Sequence, residues 1–305
     1  MKTQRRGIRP WREYLSIAPF FVLFAAFSVI PLIYALYLST QQWDGLGASE
    51  FVGLLQWQRL FERGDFFYAA GNTALIFLMG QVPAVLGALV AAAVLAQPKL
   101  RGRGFYQAAF FLPQVTSLVV VAVVFQAVFS GNFGIVNSAL KSIGLEPVMW
   151  LTDEWGIRIV IALMIIWRGF GYFLVIFMAG LASIDSSLYE AAKIDGAGAV
   201  RTFWSITIPM LRPTLVFVIL TGTISGLQIF TEPQVLFNGQ GGPHNAGMTM
   251  MLLQYQYLGG PGLTAATSPV RVDLGYGTVI GWAVFILLLA LAAINYRVLR
   301  RNTED

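Results

Sequence analysis

The stretch SLYEAAKIDGAGAVRTFWSITIP, residues 187–209, is the segment of this 305-residue chain around which its fold and function can be worked out. It is moderately polar and rich in Ala and Gly, and a long apolar segment lies on each side of it. The positions that form an ordered pattern are Glu190, Ala191, Ala192, Gly196, Ile206 and Pro209. The flanking segments therefore set the fold class, and the spacing within the stretch carries functional information.

The composition is that of a membrane protein. Apolar residues make up 57% of the chain and charged residues 11%, whereas soluble domains carry about a quarter charged residues. The chain has no cysteine, which excludes disulfides and thiolate metal sites. His244 is the only histidine, so a cluster of histidine ligands for a metal cannot form within this chain.

Six apolar windows are long enough to cross about 30 Å of hydrocarbon as helices. We predict spans at 16–38, 70–96, 107–130, 157–182, 212–237 and 276–298. The expected fold is all-α and polytopic, with one transmembrane domain over residues 16–298 between a segment 1–15 and a tail 299–305. Residues 1–38 are read as a retained first span rather than a signal peptide, because the apolar run is too long. For residues 5–15, a short interfacial helix and a disordered basic tail are both open.

Basic residues predict the orientation. The N-terminus, the loop 97–106, the loop 183–211 with Arg212, and the tail with Arg297 together carry fourteen Lys and Arg residues, whereas the opposite side carries five. Loops rich in Lys and Arg stay in the cytoplasm. Both termini and the loop 183–211 are therefore expected to be cytoplasmic.

The residue pattern of the loop 183–211 predicts two short helices. Ser187 and Glu190 have the spacing of a capping box at a helix start, and Gly196 with Gly198 is expected to end that helix. A second helix over 200–206 would run into Pro209. The small alanine side chains would let another protein approach closely.

The spacing Glu190-Ala191-Ala192, Gly196, Ile206 and Pro209 resembles the EAA loop of ABC importer permeases. Ile208 stands where that family usually has Leu, a mild departure. Segments that resemble the carbohydrate-importing branch, of the maltose-F or glycerol-phosphate-A type, are 18–20, 51–53, 72–73, 111–113, 167–171, 230–233, 241–243 and 275–277. The resemblance covers roughly residues 17–298.

This resemblance implies a type I importer permease in a bacterial or archaeal inner or plasma membrane. It implies a second permease subunit, two ABC ATPase subunits, an extracytoplasmic binding protein and a sugar substrate, with no nucleic acid. In the family, the loop around Glu190 inserts into a cleft of the ATPase. The chain has no phosphate-binding loop, so it is expected to be no enzyme and to bind no cofactor itself, with ATP and Mg on the ATPase subunits.

Polar residues within the spans mark a candidate substrate pathway, because charges in a bilayer are costly. Arg168 in the fourth span and Glu232 in the fifth differ in depth, so a direct ion pair between them is left open. Thr221, Ser225, Gln228 and Glu232 have the spacing of one stripe on a continuous helix. Trp167, Tyr172 and Phe230 could stack on a sugar. In the alternative interpretation, Gly222, Ser225 and Gly226 only permit tight helix packing.

Other functions are weighed against these features. A secondary transporter acting alone would show repeated halves or acidic relay residues, and a membrane enzyme would show a cluster of catalytic side chains. Within the same family, glycerol-phosphate derivatives or polyols are alternative cargoes, and Arg168 leaves an anionic substrate open. Residues 241–245 read as an outward turn that could meet the binding protein or could be a plain surface turn.

Overall fold

The structure is a computed structural model that describes residues 10–97, 100–131, 133–260 and 270–301. In this part of the chain, five helices are long and apolar enough to span a membrane, at Tyr14–Leu38, Asp65–Leu95, Glu154–Ala182, Arg212–Leu236 and Leu274–Asn295. A bent pair, Arg103–Val115 and Leu118–Val128, makes a sixth crossing if it is counted as one span. The all-α prediction is confirmed, and in chain order these are called the first to the sixth span.

The first two spans each contain a π-helical turn. The first consists of Pro10–Phe24, the π turn Ala25–Val29 and Ile30–Leu38. Residues 10–15 are therefore continuous with this span, and residues 5–9 of the predicted interfacial helix lie outside the described part. The second consists of Asp65–Ile76, the π turn Phe77–Gln81 and Val82–Leu95. Each π turn lies just before a proline, Pro31 or Pro83, whose missing N–H interrupts the helical ladder.

The third span is not the single helix predicted over 107–130. Its two halves meet at an angle of 96°, because Thr116 and Ser117 between them have ψ angles of 140° and 129°. Pro113 lies in the last turn before this break. An α-helix cannot continue through two residues with such backbone angles, so the prediction of a single unbroken helix over 107–130 was wrong.

The fourth span, Glu154–Ala182, lies at the centre of the molecule. It begins where the Asp153 carboxylate accepts a 2.9 Å hydrogen bond from the Gly156 N–H, a standard N-cap. Gly171 packs so closely on the first half of the third span that a Cβ there would clash with the carbonyl of Phe110. Close helix approach at small residues is the usual packing mode in membranes.

The fifth span is also interrupted. The helix Arg212–Leu227 ends at Gln228, and a short helix Thr231–Leu236 follows after Phe230, whose φ and ψ are −139° and −55°. The sixth span is unbroken over Leu274–Arg301. The continuous fifth helix predicted over 212–237 was therefore wrong, and the four stripe residues do not lie on one helix.

Short elements lie between the spans. Gln41–Gln42 and Glu50–Phe51 form a two-stranded antiparallel ribbon in which Gln41 is paired with Phe51. Short helices are found at Leu55–Glu62, Ile135–Ser142 and Met250–Tyr257, with a 3₁₀ turn at Pro243–Asn245. The loop after the fourth span contains Ser186–Ile194, Ala199–Thr202, the π turn Phe203–Thr207 and Ile208–Met210.

Candidate functional site

The first helix of the loop is capped by a residue that the sequence analysis did not choose. Asp185 is the N-cap of Ser186–Ile194, and its carboxylate accepts a 2.9 Å hydrogen bond from the Ser187 N–H. That backbone hydrogen bond is also the main reason that the pKa of Asp185 lies below its usual value. The predicted capping box between Ser187 and Glu190 was therefore wrong, because the helix begins one residue before Ser187.

The end of the same helix follows the prediction at Gly196. Gly196 has a φ of +70°, its N–H donates to the Lys193 carbonyl at 3.1 Å, and the Ala197 N–H donates to the Ala192 carbonyl at 2.9 Å. These two bonds define a Schellman motif, which requires the left-handed conformation that glycine adopts at little cost. Gly198 has a φ of −69° and serves as the N-cap residue of the next helix.

The second helical segment of the loop is longer than predicted. It runs with a π turn from Ala199 to Met210, so Pro209 is part of it rather than beyond it. The Tyr189 and Thr207 hydroxyls lie 3.2 Å apart and join the two helical segments. The loop is therefore a compact unit whose two arms are fixed to each other.

The loop presents both an acidic group and apolar side chains on its surface. Glu190 and Ala191 are exposed and Ala192 is buried, so the motif's alanines divide between surface and interior. Ile194 is 87% exposed, Val200 74% and Trp204 64%. Sequence reasoning missed these three, although their apolar character in a polar loop was a usable signal. Exposed apolar groups of this size commonly mark a protein interface.

Nearly all of the predicted pathway residues meet in one cavity between the fourth and fifth spans. The cavity has a volume of about 390 Å³. Its polar lining consists of Gln81, Gln114, Arg168, Tyr172, Thr221, Ser225, Gln228, Thr231 and Glu232, and Phe230 lies beside them. The second to fifth spans all contribute to this lining, and within the fifth span the groups come from the two helices on either side of the break at residues 228–230.

Arg168 and Glu232 form the ion pair that the sequence left open. Arg168 Nη1 lies 3.8 Å from Glu232 Oε1, and the two side chains are 36% and 13% exposed. Sequence reasoning placed the two at different depths because it assumed a straight fifth helix. The break after Leu227 changes the position of Glu232 relative to the fourth span.

The hydroxyls of the fifth span bond to the backbone of their own helix. Thr221 Oγ1 donates to the Phe217 carbonyl at 2.7 Å, and Ser225 Oγ donates to the Gly222 carbonyl at 3.3 Å. Gln81 Nε2 of the second span donates to Ser225 Oγ at 3.3 Å. The sequence analysis had not singled out Gln81, a polar residue in an otherwise apolar span.

Close packing against the second span explains one of the small residues of the fifth span. A Cβ on Gly226 would overlap the Phe77 ring of the second span, whereas a Cβ on Gly222 would lie 3.5 Å from Gln81 Nε2. Gly226 is thus a packing position, and Ser225 and Gln228 border the cavity. The packing interpretation therefore applies to Gly226, whereas a contact of Ser225 and Gln228 with substrate stays a prediction.

The three candidate aromatic residues have different surroundings. Tyr172 and Phe230 line the cavity, and the Phe230 ring lies 5.0 Å from that of Tyr255. Trp167 is outside the cavity lining and packs against Phe125, with ring centroids 6.1 Å apart. Tyr172 and Phe230 are therefore the better placed of the three for stacking.

Hydrogen bonds fix the conformation of the turn at 241–245, whose residues His244 and Asn245 are exposed. His244 and Asn245 both have a φ of 54° and are exposed. Tyr68 Oη donates to the His244 carbonyl at 2.9 Å and Asn72 Nδ2 to the Asn245 carbonyl at 3.0 Å. Arg158 Nε donates in turn to Asn72 Oδ1 at 3.1 Å. The predicted turn is confirmed, and the second and fourth spans fix its conformation.

Comparison with known proteins places this chain in a family. Residues 84–304 match the binding-protein-dependent transport system inner membrane component family. The lactose transport system permease protein LacF of Rhizobium radiobacter is 35% identical, over 98% of this chain and 99% of that protein. The arabinooligosaccharides transport system permease protein AraP of Bacillus subtilis is 30% identical, over 93% of this chain and 87% of that protein.

A solved structure supports the same fold. In the bacterial alginate ABC transporter bound to an alginate pentasaccharide-bound periplasmic protein, one chain superposes with a TM-score of 0.81. The two chains are 23% identical, over 97% of this chain and 96% of that chain.

These findings define the class of protein: an inner membrane component of a transport system. A component of this class takes part in moving a solute and is not an enzyme. The chain belongs to the family of inner membrane components of binding-protein-dependent transport systems. The resemblance inferred from the EAA-like spacing is thereby confirmed.

Proposed function

We propose that this chain is a permease subunit of an ATP-driven sugar importer. It forms the pathway with a second permease, two ATPase subunits hydrolyse ATP with Mg, and an extracytoplasmic binding protein delivers a mono- or oligosaccharide. The named cargoes of its relatives, lactose and arabinooligosaccharides, support a carbohydrate. Both termini and the loop 183–211 face the cytoplasm of a bacterium or archaeon.

The observation that carries the proposal is the geometry of the loop 183–211. It is a compact unit with a fixed glycine turn, an exposed Glu190 and three exposed apolar side chains. Such a surface suits docking of an ATPase subunit, with Glu190, Ala191, Ala192, Gly196, Ile206 and Pro209 forming or supporting the contact. A rigid unit at the end of the fourth span transmits the movement of the ATPases to the pathway.

The test is reconstitution of this chain with its partner subunits in proteoliposomes, with a panel of sugars and the binding protein. We expect ATP-dependent uptake and stimulation of ATP hydrolysis by the loaded binding protein. Glu190→Ala should reduce both at least tenfold, because it removes the exposed carboxylate from the docking surface. Lys193→Ala, an exposed change on the same helix, should retain most of the activity. Uptake without any ATPase subunit would overturn the proposal.

The cavity between the fourth and fifth spans is the proposed sugar pathway. Gln228→Leu removes an amide from its lining and should reduce uptake several-fold while the complex still assembles. Gln228→Asn keeps an amide at this position and should retain more of the uptake. Normal uptake by the leucine variant would assign the polar residues of the fifth span to packing alone.

A further inference from the structure

The charges in the cavity between the fourth and fifth spans offset each other. Of the described residues that line it, Arg168 and Glu232 are the two with a basic and an acidic side chain, and Arg168 Nη1 lies 3.8 Å from Glu232 Oε1. They come from different elements, the fourth span and the short helix Thr231–Leu236. An ionised Glu232 therefore leaves the cavity with a guanidinium but with no net charge.

The rest of the polar lining is uncharged and already partly engaged. Thr221 and Ser225 donate their hydroxyl hydrogens to backbone carbonyls, which leaves the Thr221 oxygen as an acceptor, whereas Ser225 Oγ already accepts from Gln81 Nε2. The amides of Gln114 and Gln228 supply both donors and acceptors. Neutral groups of this kind complement hydroxyl groups, whereas an anionic solute needs uncompensated positive charge.

Glu232 is better placed than any other described residue to cancel the charge of Arg168. Its side chain is 13% exposed, and Arg168 Nε is buried without a hydrogen-bond partner in the described part of the chain. A guanidinium held partly out of water depends on a nearby opposite charge. Without the carboxylate, the positive charge would dominate the cavity.

We propose that Glu232 determines the charge specificity of the pathway: by neutralising Arg168 it admits uncharged carbohydrates and disfavours anionic ones. This rests on the proposed function in one respect, that the cavity is the path of the solute. It narrows the cargo to neutral sugars, and it predicts that loss of the carboxylate converts the cavity to one that favours anions.

The absence of cysteine from this chain allows a direct test of the cavity's charge. Gln228→Cys introduces one thiol at an exposed residue of the cavity lining, and any cysteines of the partner subunits are first replaced by serine. The measurement is the rate of thiol modification by an anionic sulfonatoethyl methanethiosulfonate and by the neutral hydroxyethyl reagent. The ratio of the two rates reports the local potential without requiring transport or knowledge of the sugar.

A reference thiol corrects for the reagents themselves. Ser142→Cys lies on the exposed helix Ile135–Ser142, away from the cavity lining. The anionic-to-neutral rate ratio at Gln228→Cys is divided by the same ratio at Ser142→Cys. When Arg168 and Glu232 are unchanged, this corrected ratio should show little preference for either reagent. A strong preference for the anionic reagent would contradict a neutralised cavity.

Substitutions of Arg168 and Glu232 test whether the carboxylate offsets the charge of the guanidinium. Glu232→Gln should raise the corrected anionic-to-neutral ratio about fivefold to tenfold, because it removes a full charge near the thiol. Glu232→Asp keeps the charge and should leave the ratio within about twofold. Arg168→Gln should lower the ratio, and the double variant Arg168→Gln with Glu232→Gln should return it to the starting value.

The outcomes separate this inference from the proposed function. An unchanged ratio in Glu232→Gln and Arg168→Gln overturns the charge inference even if ATP-driven uptake is observed. The predicted shifts support it even if uptake fails. If Glu232→Gln prevents assembly, the corrected ratio of the otherwise unchanged cavity still decides, since a strong preference for the anionic reagent there contradicts neutralisation of Arg168 by Glu232.

Discussion

Gly196 controls the shape of the loop 183–211 through its backbone conformation. Its φ is +70°, and no atom lies within 4 Å of the position that a Cβ would occupy, so a substitution would act through conformation and not through a clash. Gly196→Ala should destabilise the turn by about 1 kcal/mol. We expect faster amide hydrogen exchange over residues 186–202 and weaker stimulation of ATP hydrolysis.

Gly198 supplies the matched control for this change. It also has nothing within 4 Å of a Cβ, and its φ of −69° suits any residue. Gly198→Ala should therefore leave exchange and ATP hydrolysis close to those of the unchanged protein. If both alanine variants behave alike, the left-handed conformation of Gly196 is not what shapes the loop.

At the scale of single residues, the sequence predicted the glycine turn but not the cap. Glycine is the residue that adopts the conformation of a Schellman motif at little cost, so Gly196 was an unambiguous signal. Asp185, Ser186 and Ser187 are consecutive, and each can cap a helix. Local chemistry does not choose among three neighbouring caps, and the packing of the loop on the spans sets where the helix begins.

At the scale of helices, the contact between the second and fifth spans depends on Gly226. A Cβ there would overlap the Phe77 ring, and forcing extra volume into a packed interface typically costs about 1–3 kcal/mol. Gly226→Ala should lower the melting temperature of the purified complex by several degrees. Differential scanning fluorimetry on the intact complex would measure this.

Gly222, four residues earlier on the same helix, provides the comparison. Its Cβ would lie at an ordinary van der Waals distance of 3.5 Å from Gln81 Nε2. Gly222→Ala has the same change in helix propensity and should leave the melting temperature nearly unchanged. An equal loss in both variants would mean that backbone flexibility, not the contact with Phe77, explains the effect.

Apolar windows predicted where spans lie but not where they break. Pro113 was visible in the sequence, yet Pro31 and Pro83 lie in helices that continue through a π turn, so proline alone did not identify the break. The fifth span breaks at Gln228 and Phe230 without a proline at the break. Contacts with neighbouring helices stabilise such breaks in a membrane, and a single sequence does not contain those contacts explicitly.

At the scale of the whole molecule, the first span stands apart from the other five. None of its 18-residue apolar window is buried, whereas 44% of the window of the fourth span is buried. The sequence could not distinguish them, because both windows are strongly apolar. The fourth span is the packing centre of the described structure, and the first span presents a long apolar face outside that packed core.

The candidate site is likewise a property of the whole molecule. Arg168 and Glu232 are far apart in sequence and meet only because the fifth span breaks between Leu227 and Thr231. The sequence identified both residues from the cost of charge in a bilayer. Their pairing required the three-dimensional arrangement of the fourth and fifth spans.

The orientation of the molecule is predicted by charge and can be measured with introduced thiols. A cavity of about 400 Å³ lies between the ends of the second and fourth spans and the helix Ser186–Ile194, so Gln97 and the loop 183–211 share one side. Six crossings place the helix Ile135–Ser142 on the other side. Because basic residues concentrate with Gln97, we expect that side to be cytoplasmic.

In right-side-out spheroplasts, a membrane-impermeant maleimide should label Ser142→Cys, and it should label Gln97→Cys and Ser183→Cys only after permeabilisation. Labelling after denaturation controls for thiols that a partner subunit covers. If Gln97→Cys reacts in intact spheroplasts, the loop 183–211 lies outside the cell. A cytoplasmic ATPase could not then reach Glu190, so this result would refute the orientation and the proposed coupling together.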